Sequence, residues 1–197
     1  MKRFLDLMVS MIGLAVLSPL LVVIAGLIKM EDGGPVLYGG TRVGFRDQRF
    51  KMLKFRSMVN HADKIGGPST PNDDPRLTKI GRWLRKSKLD ELPQLMNVLR
   101  GEMSLVGPRP EVPHYVEMFT PDERSILSVR PGITDWASLW NSDEGSLLAG
   151  SLDPERTYME EIRPKKIQLQ LKYVKNHSLG VDLQILFLTF RKLLTGK

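Results

Sequence analysis

From Leu7 to Ile28 the chain reads LMVSMIGLAVLSPLLVVIAGLI, an uncharged run longer than the roughly 18 residues at which an apolar segment becomes a candidate for crossing a bilayer. Such a stretch must be covered by protein or by lipid. Three readings are open. A secretory signal peptide would use the basic start at Lys2 and Arg3, but the run exceeds a usual signal core and no small-x-small cleavage site precedes Lys29. An ordinary single span fits the length. The third reading rests on Ser18-Pro19 in the middle of the run. Proline lacks an N–H and its ring pushes on the carbonyl of Ala15, so the helix is expected to break here, with Ser18 in place to satisfy the freed carbonyl. Basic residues flank the run on both sides, Lys2 and Arg3 before it and Lys29 after it. That balance suits a re-entrant helix whose two ends stay on the cytoplasmic side.

After Lys29 the pattern turns polar and charged. The boundary falls between Lys29 and Gly33, which gives a membrane helix over residues 1–30 and a cytosolic domain over 31–197. With 42% hydrophobic residues the second part can bury a core. Cysteine is absent, which excludes disulfides, Cys-ligated metal and a thiol nucleophile. The 29 Lys and Arg outnumber the 22 Asp and Glu, for a net charge of +7, and favour anionic partners. Nucleic acid is not among those expected, because aromatics are only 7% and no basic helix or stacking motif is present. Dinucleotide, Walker, zincin and EF-hand patterns are missing, and His61, His114 and His177 are scattered.

The local pattern predicts an α+β fold, mainly helical, with a small hairpin or sheet. Val36 to Tyr38, a turn at Gly39-Gly40, and Thr41 to Phe45 read as a hairpin. Around Leu53, alternation puts Leu53 and Phe55 on a buried face and Lys54 and Arg56 on a basic one. Gly66 to Pro75 is dense in turn formers and predicts an exposed, mobile loop. A helix is expected from about Leu77 to Lys86, and another opening at Asp90 and stopping at Gly101. Further on come a short helix near Asp122 to Leu127, a turn at Pro131-Gly132 and a helix from Pro154 to Val174. The stripe Leu183, Leu186, Phe187, Phe190 and Leu194 fits either a membrane surface or the core, with core packing as the default.

Few residues stand out for chemistry. Asp90 and Glu91 follow Arg85, Lys86 and Lys88 at a predicted helix start, where the dipole and the cations favour ionised carboxylates; an ionised aspartate is a competent nucleophile. First-turn acids equally serve only to stabilise helices, and neighbours on a helix diverge by about 100°. Arg109, locked between Pro108 and Pro110, can present a planar guanidinium to phosphate, or be a solvated turn residue. Lys54 and Arg56 fit phosphate or headgroups, or simple solvation.

The runs Asp74-Pro75-Arg76-Leu77-Thr78-Lys79-Ile80-Gly81, Leu89-Asp90-Glu91-Leu92-Pro93-Gln94-Leu95 and Asn97-Val98-Leu99-Arg100-Gly101 together resemble the bacterial sugar transferases. Met103 to Pro110, Lys54-Phe55-Arg56-Ser57-Met58 and Arg130-Pro131-Gly132-Ile133-Thr134 extend the likeness to the monotopic polyprenyl-phosphate phosphoglycosyl transferases, in the same order. The length resembles that of small members without extra N-terminal membrane helices. The resemblance implies a re-entrant helix broken at Ser18-Pro19 and a catalytic domain on the cytoplasmic face of the bacterial inner membrane, against inner-leaflet lipid.

It also implies transfer of a sugar 1-phosphate from a UDP-sugar to a polyprenyl phosphate such as undecaprenyl phosphate, releasing UMP, as the first membrane step of glycoconjugate or exopolysaccharide biosynthesis. Asp90 would form a covalent phosphosugar intermediate with Glu91 assisting, Mg2+ would sit near Asp90, and Arg85, Arg109, Lys54 and Arg56 would contact phosphate. The donor sugar and any homo-oligomer stay open. One departure is Asp135, where the family often has glycine after Pro-Gly-Ile-Thr; it bears on this loop and on the sugar accepted. Two rivals stand beside this reading, a non-catalytic membrane-anchored basic scaffold and a hydrolase that passes the phosphosugar to water.

Overall fold

The computed structural model describes residues 1–62, 65 and 70–195. Helix α1 (Lys2–Asp32) contains the apolar run and passes through Pro19. Ser18 Oγ donates to the Ala15 carbonyl at 2.8 Å, the acceptor that Pro19 leaves without an N–H. Asp6, Ser10, Ile24 and Ile28 form its buried stripe, while Met11, Ile12, Val16, Val22 and Val23 are exposed.

Polar bonds hold the first turns of α1. Lys2 Nζ reaches Asp182 at 2.5 Å and the Val106 carbonyl at 2.9 Å, and Arg3 donates to the carbonyls of Leu99 and Met103. Buried Asp6 accepts from the Ser104 hydroxyl and the Leu105 N–H. At the other end Ile24 and Ile28 pack against Phe55 and Leu84, and Glu31 accepts the Lys79 N–H at 2.8 Å. Both ends of α1 are therefore fixed to one body.

Strands β1 (Leu37–Val43) and β2 (Arg49–Phe55) pair antiparallel. The predicted turn at Gly39-Gly40 is corrected: both glycines lie within β1, and the chain reverses at residues 44–48, where Arg46 and Asp47 adopt positive φ. Gly40 supplies space instead, since a Cβ there would lie 3.1 Å from the Tyr38 ring and 3.2 Å from an Arg42 guanidinium nitrogen. The basic face of β2 is not open either. Met52 on that face enters the main core with Val98 and Met103, so Lys54 rises from covered ground.

Helix α2 (Lys79–Ser87) is capped by the Thr78 hydroxyl, and α3 (Gln94–Arg100) ends on Gly101 at φ 84. Strand β3 (Ser104–Val106) pairs in parallel with β4 (Gly132–Thr134), so Gly132 belongs to a strand rather than to the predicted turn. Short helices follow: α4 (Pro113–Glu117), α5 (Trp136–Trp140), α6 (Glu144–Leu148) and α7 (Pro154–Thr157). The expected helix near Asp122 is a 3-10 segment, Glu123–Ser128. A π-helical turn, Tyr158–Ile162, joins α7 to α8 (Arg163–Asn176), and α9 (Leu179–Thr195) closes the described chain.

The default for the α9 stripe holds for Leu186, which packs partly buried against the main core, and is overturned for the other four. Asp182 and Ile185 face inward, whereas Leu183, Phe187, Phe190 and Leu194 are 55%, 67%, 62% and 72% exposed. Periodicity places these side chains on one face but carries no information about which face meets the core.

The predicted loop at Gly66 to Pro75 lies partly outside the described residues. Its described end carries Asp74, which accepts from the Arg76 backbone N–H and side chain and is thereby held below its ordinary 3.8. A carboxylate depressed in the fold stabilises it above the unfolded value and loses that contribution as it protonates. Wild type should thus exceed Asp74→Asn in thermal stability at neutral pH, and the gap should shrink as the pH falls below the ordinary carboxylate range and Asp74 protonates, measured by pH-resolved melting.

Candidate active site

Helix α2 ends at Lys88, whose left-handed φ of 59 turns the chain into a single 3-10 turn, Leu89–Glu91. α3 starts only at Gln94, behind Pro93. Asp90 and Glu91 consequently lie one turn before the helix that the sequence predicts them to open. They nevertheless share a site. Lys54 Nζ is 2.8 Å from Glu91 Oε1 and 3.9 Å from Asp90 Oδ2, and Arg109 grips Glu91 with both terminal guanidinium nitrogens.

Backbone architecture sets these distances. Asn97, fully buried in α3, accepts the Leu53 N–H at 2.9 Å and donates to the Lys51 carbonyl at 2.8 Å, clamping β2 so that Lys54 meets the turn after α2. Arg109 follows Gly107, which crosses Gly132 at backbone contact. Its N–H is within 3.3 Å of Asp135 Oδ2 and its carbonyl accepts from Gln170.

The two acids differ in character. Burial pushes Asp90 up, with Lys54 opposing, and the carboxylate accepts no hydrogen bond among the described residues. Burial also acts on Glu91, but the Arg109 and Lys54 charges and bonds outweigh it and hold Glu91 well below the usual carboxylate range. Lys54 is lowered by burial, with Glu91 opposing. Glu91 is thus the charged post that positions two cations, and Asp90 stands beside them without a hydrogen bond, at 3.9 Å from Lys54.

Arg85 donates to the Thr70 carbonyl at 3.2 Å, and its charge acts on Asp90. Arg56 is not brought to the dyad: its buried guanidinium is engaged by Asp32, the Pro35 carbonyl and Asn60. It ties the end of α1 to β2. Sequence reasoning missed Asn97 as a clamp, although a polar residue set between Leu95, Met96, Val98 and Leu99 was the available signal. It also missed the network behind Arg109, where buried Glu111 meets Lys166 at 2.7 Å and Tyr158 at 3.0 Å.

These contacts lie within residues 1–196, which match the model of a family described as bacterial sugar transferase. The chain belongs to the bacterial sugar transferase family. It is 38% identical over 99% of its length to UDP-N-acetylgalactosamine-undecaprenyl-phosphate N-acetylgalactosaminephosphotransferase of Aeromonas hydrophila, covering 44% of that protein. It is 39% identical over 97% of its length to undecaprenyl-phosphate glucose phosphotransferase of Komagataeibacter xylinus, covering 35%. Against exopolysaccharide production protein ExoY of Sinorhizobium fredii (strain NBRC 101917 / NGR234) the identity is 43% over 60% of this chain and 59% of the relative. The chain thus spans about a third to three fifths of the length of these relatives.

Among the described residues no group of three acidic or histidine side chains forms a metal cage. Asp90, with Glu91 adjacent, still fits magnesium, which commonly takes one or two carboxylates and completes its shell with substrate phosphate and water.

Glu91→Gln should leave the half-buried Lys54 and Arg109 without their shared anion. The expected cost is about 3 kcal/mol, seen as a lower melting temperature. Arg109→Met in the same protein should recover part of that loss.

Proposed function

We propose that the chain is a phosphoglycosyl transferase that moves a sugar 1-phosphate from a UDP-sugar to undecaprenyl or another polyprenyl phosphate. The observation that carries this reading is the pairing of a buried Asp90, which accepts no hydrogen bond among the described residues, with two cations held ready by Glu91. An Asp90 oxygen attacks the sugar-proximal phosphorus as the bond from that phosphorus to UMP breaks, which leaves an acyl phosphate. An oxygen of the lipid phosphate then attacks the same phosphorus and releases the Asp90 carboxylate. Lys54 and Arg109 bear the negative charge that builds on the phosphoryl oxygens, and Arg85 faces the departing nucleotide. Magnesium held by Asp90, with Glu91 at its side, would neutralise the diphosphate.

The donor is water-soluble and the acceptor is embedded in lipid, so the site must work at headgroup depth. A straight spanning helix would part its ends across the bilayer, whereas both ends of α1 are bound to one body, which supports a re-entrant anchor; the basic flanks Lys2, Arg3 and Lys29 favour the cytoplasmic face. The exposed Phe187 and Phe190 of α9 add apolar area for the same surface. The product is the first lipid-linked sugar of a polysaccharide or glycoconjugate.

UMP release from a panel of UDP-sugars, with magnesium and with or without polyprenyl phosphate, tests the reading. Release that requires the lipid supports transfer. Acceptor-independent release would mean hydrolysis, and silence across a broad panel would favour a scaffold.

A further inference from the structure

Arg109 stands between Pro108 and Pro110, neither of which has an N–H, so its own amide is the single backbone donor of that stretch. Its acceptor is Asp135 Oδ2, 3.3 Å away. Asp135 is fully buried, and its other oxygen accepts the Ser138 N–H at 2.7 Å and the Ser138 hydroxyl at 2.8 Å, which caps α5. One carboxylate thus joins the start of α5 to the backbone of Arg109.

A helix cap needs only one side-chain oxygen, and serine supplies it as well as aspartate does. A buried carboxylate is costly unless both of its oxygens are hydrogen-bonded. The second oxygen of Asp135 therefore has a use that capping does not explain. The rest of the loop is held as closely: Gln170 of α8, also fully buried, donates to the Arg109 carbonyl at 3.1 Å, and the Gly132 N–H donates to the Pro108 carbonyl at 3.0 Å. With the backbone fixed in this way, the guanidinium reaches Glu91 with both terminal nitrogens.

We propose, on the reading of the chain as a transferase of sugar phosphate, that Asp135 is a positioning residue for Arg109: by holding the Arg109 N–H it fixes where the guanidinium meets the donor diphosphate. A planar guanidinium makes two-point contact with phosphate only in a defined orientation. Displacement of a positioned group by about 1 Å costs up to about a hundredfold in rate. Asp135 acts through Arg109 on the phosphates, which every UDP-sugar shares, so it sets donor affinity and rate without choosing the sugar.

The test uses the full chain in nanodiscs with magnesium and reads UDP affinity, UMP release from several UDP-sugars and melting. Asp135→Ser keeps a cap for α5 but withdraws the second oxygen, and Asp135→Asn keeps the shape but turns an amide N–H toward the Arg109 N–H. Each should weaken UDP binding and turnover about tenfold, by the same factor for every sugar. Ser138→Ala, which loosens the cap and leaves the link to Arg109, should stay within about twofold of wild type in both, whatever its melting temperature. In Arg109→Lys, where no planar fork is left to orient, adding Asp135→Ser should cost less than about twofold. Wild-type affinity and turnover in both Asp135 variants would overturn the proposal, as would a loss matched by Ser138→Ala, a loss that adds fully to that of Arg109→Lys, or a loss confined to one sugar. The expected pattern in UDP binding without UMP release by wild type would reject the transfer reaction and leave the positioning role standing.

Discussion

Asp90→Asn is expected to abolish acceptor-dependent UMP release, with a loss of three orders of magnitude or more, because an amide is not a nucleophile toward phosphorus. The same variant should fold. Asp90 accepts no hydrogen bond among the described residues and its nearest cation is 3.9 Å away, so a neutral side chain of equal shape relieves a buried charge. Stability unchanged or raised beside lost turnover is the combination expected, measured by melting and UMP release on one preparation. A radiolabelled sugar phosphate retained by wild type in the absence of lipid acceptor, and not by the variant, would trap the covalent intermediate. Turnover near wild type in Asp90→Asn would end the assignment of the nucleophile. Glu91→Gln should behave in the opposite sense, with a loss of stability as well as activity, since its charge is what holds Arg109 and Lys54.

Gly132→Ala should be among the most damaging single-methyl changes in the chain. A Cβ at this position would sit 2.0 Å from the Gly107 nitrogen and 2.5 Å from its oxygen, both backbone atoms that no rotamer change can move. The two segments that cross here are those that carry Arg109 and Asp135, paired through β3 and β4. The expected cost is about 3 kcal/mol or more, a fall in melting temperature of about 10 °C for a chain of this size. Gly26→Ala supplies the control: nothing lies within 4 Å of its Cβ, and alanine is the better helix former, so stability should hold or rise slightly. Equal melting temperatures for the two variants would overturn the account of the crossing.

Much of this protein follows from one-dimensional pattern. The uncharged run from Leu7 to Ile28 determines an apolar helix by length alone, and Ser18 next to Pro19 determines its local repair, because the hydroxyl and the freed Ala15 carbonyl are a few atoms apart on the same turn. Gly101 as a helix stop is equally local. So are Asp90 and Glu91 as adjacent acids after a basic stretch, and Arg109 as a side chain held between prolines.

Contacts between distant segments were decided only in three dimensions. Lys54 and Arg56 alternate alike along the chain, but β2 ends between them, and packing sends one to the dyad and the other to Asp32. Gly39-Gly40 carries a turn signature, yet both glycines pair with β2 inside β1, and the reversal falls at residues 44–48. The α9 stripe has the period of a buried face, but Asp182 is drawn inward by Lys2 and Tyr173, and that polar clamp turns Phe187 and Phe190 outward. Sequence period determines which side chains share a face. Which face is buried depends on partners far along the chain, and no local rule contains them.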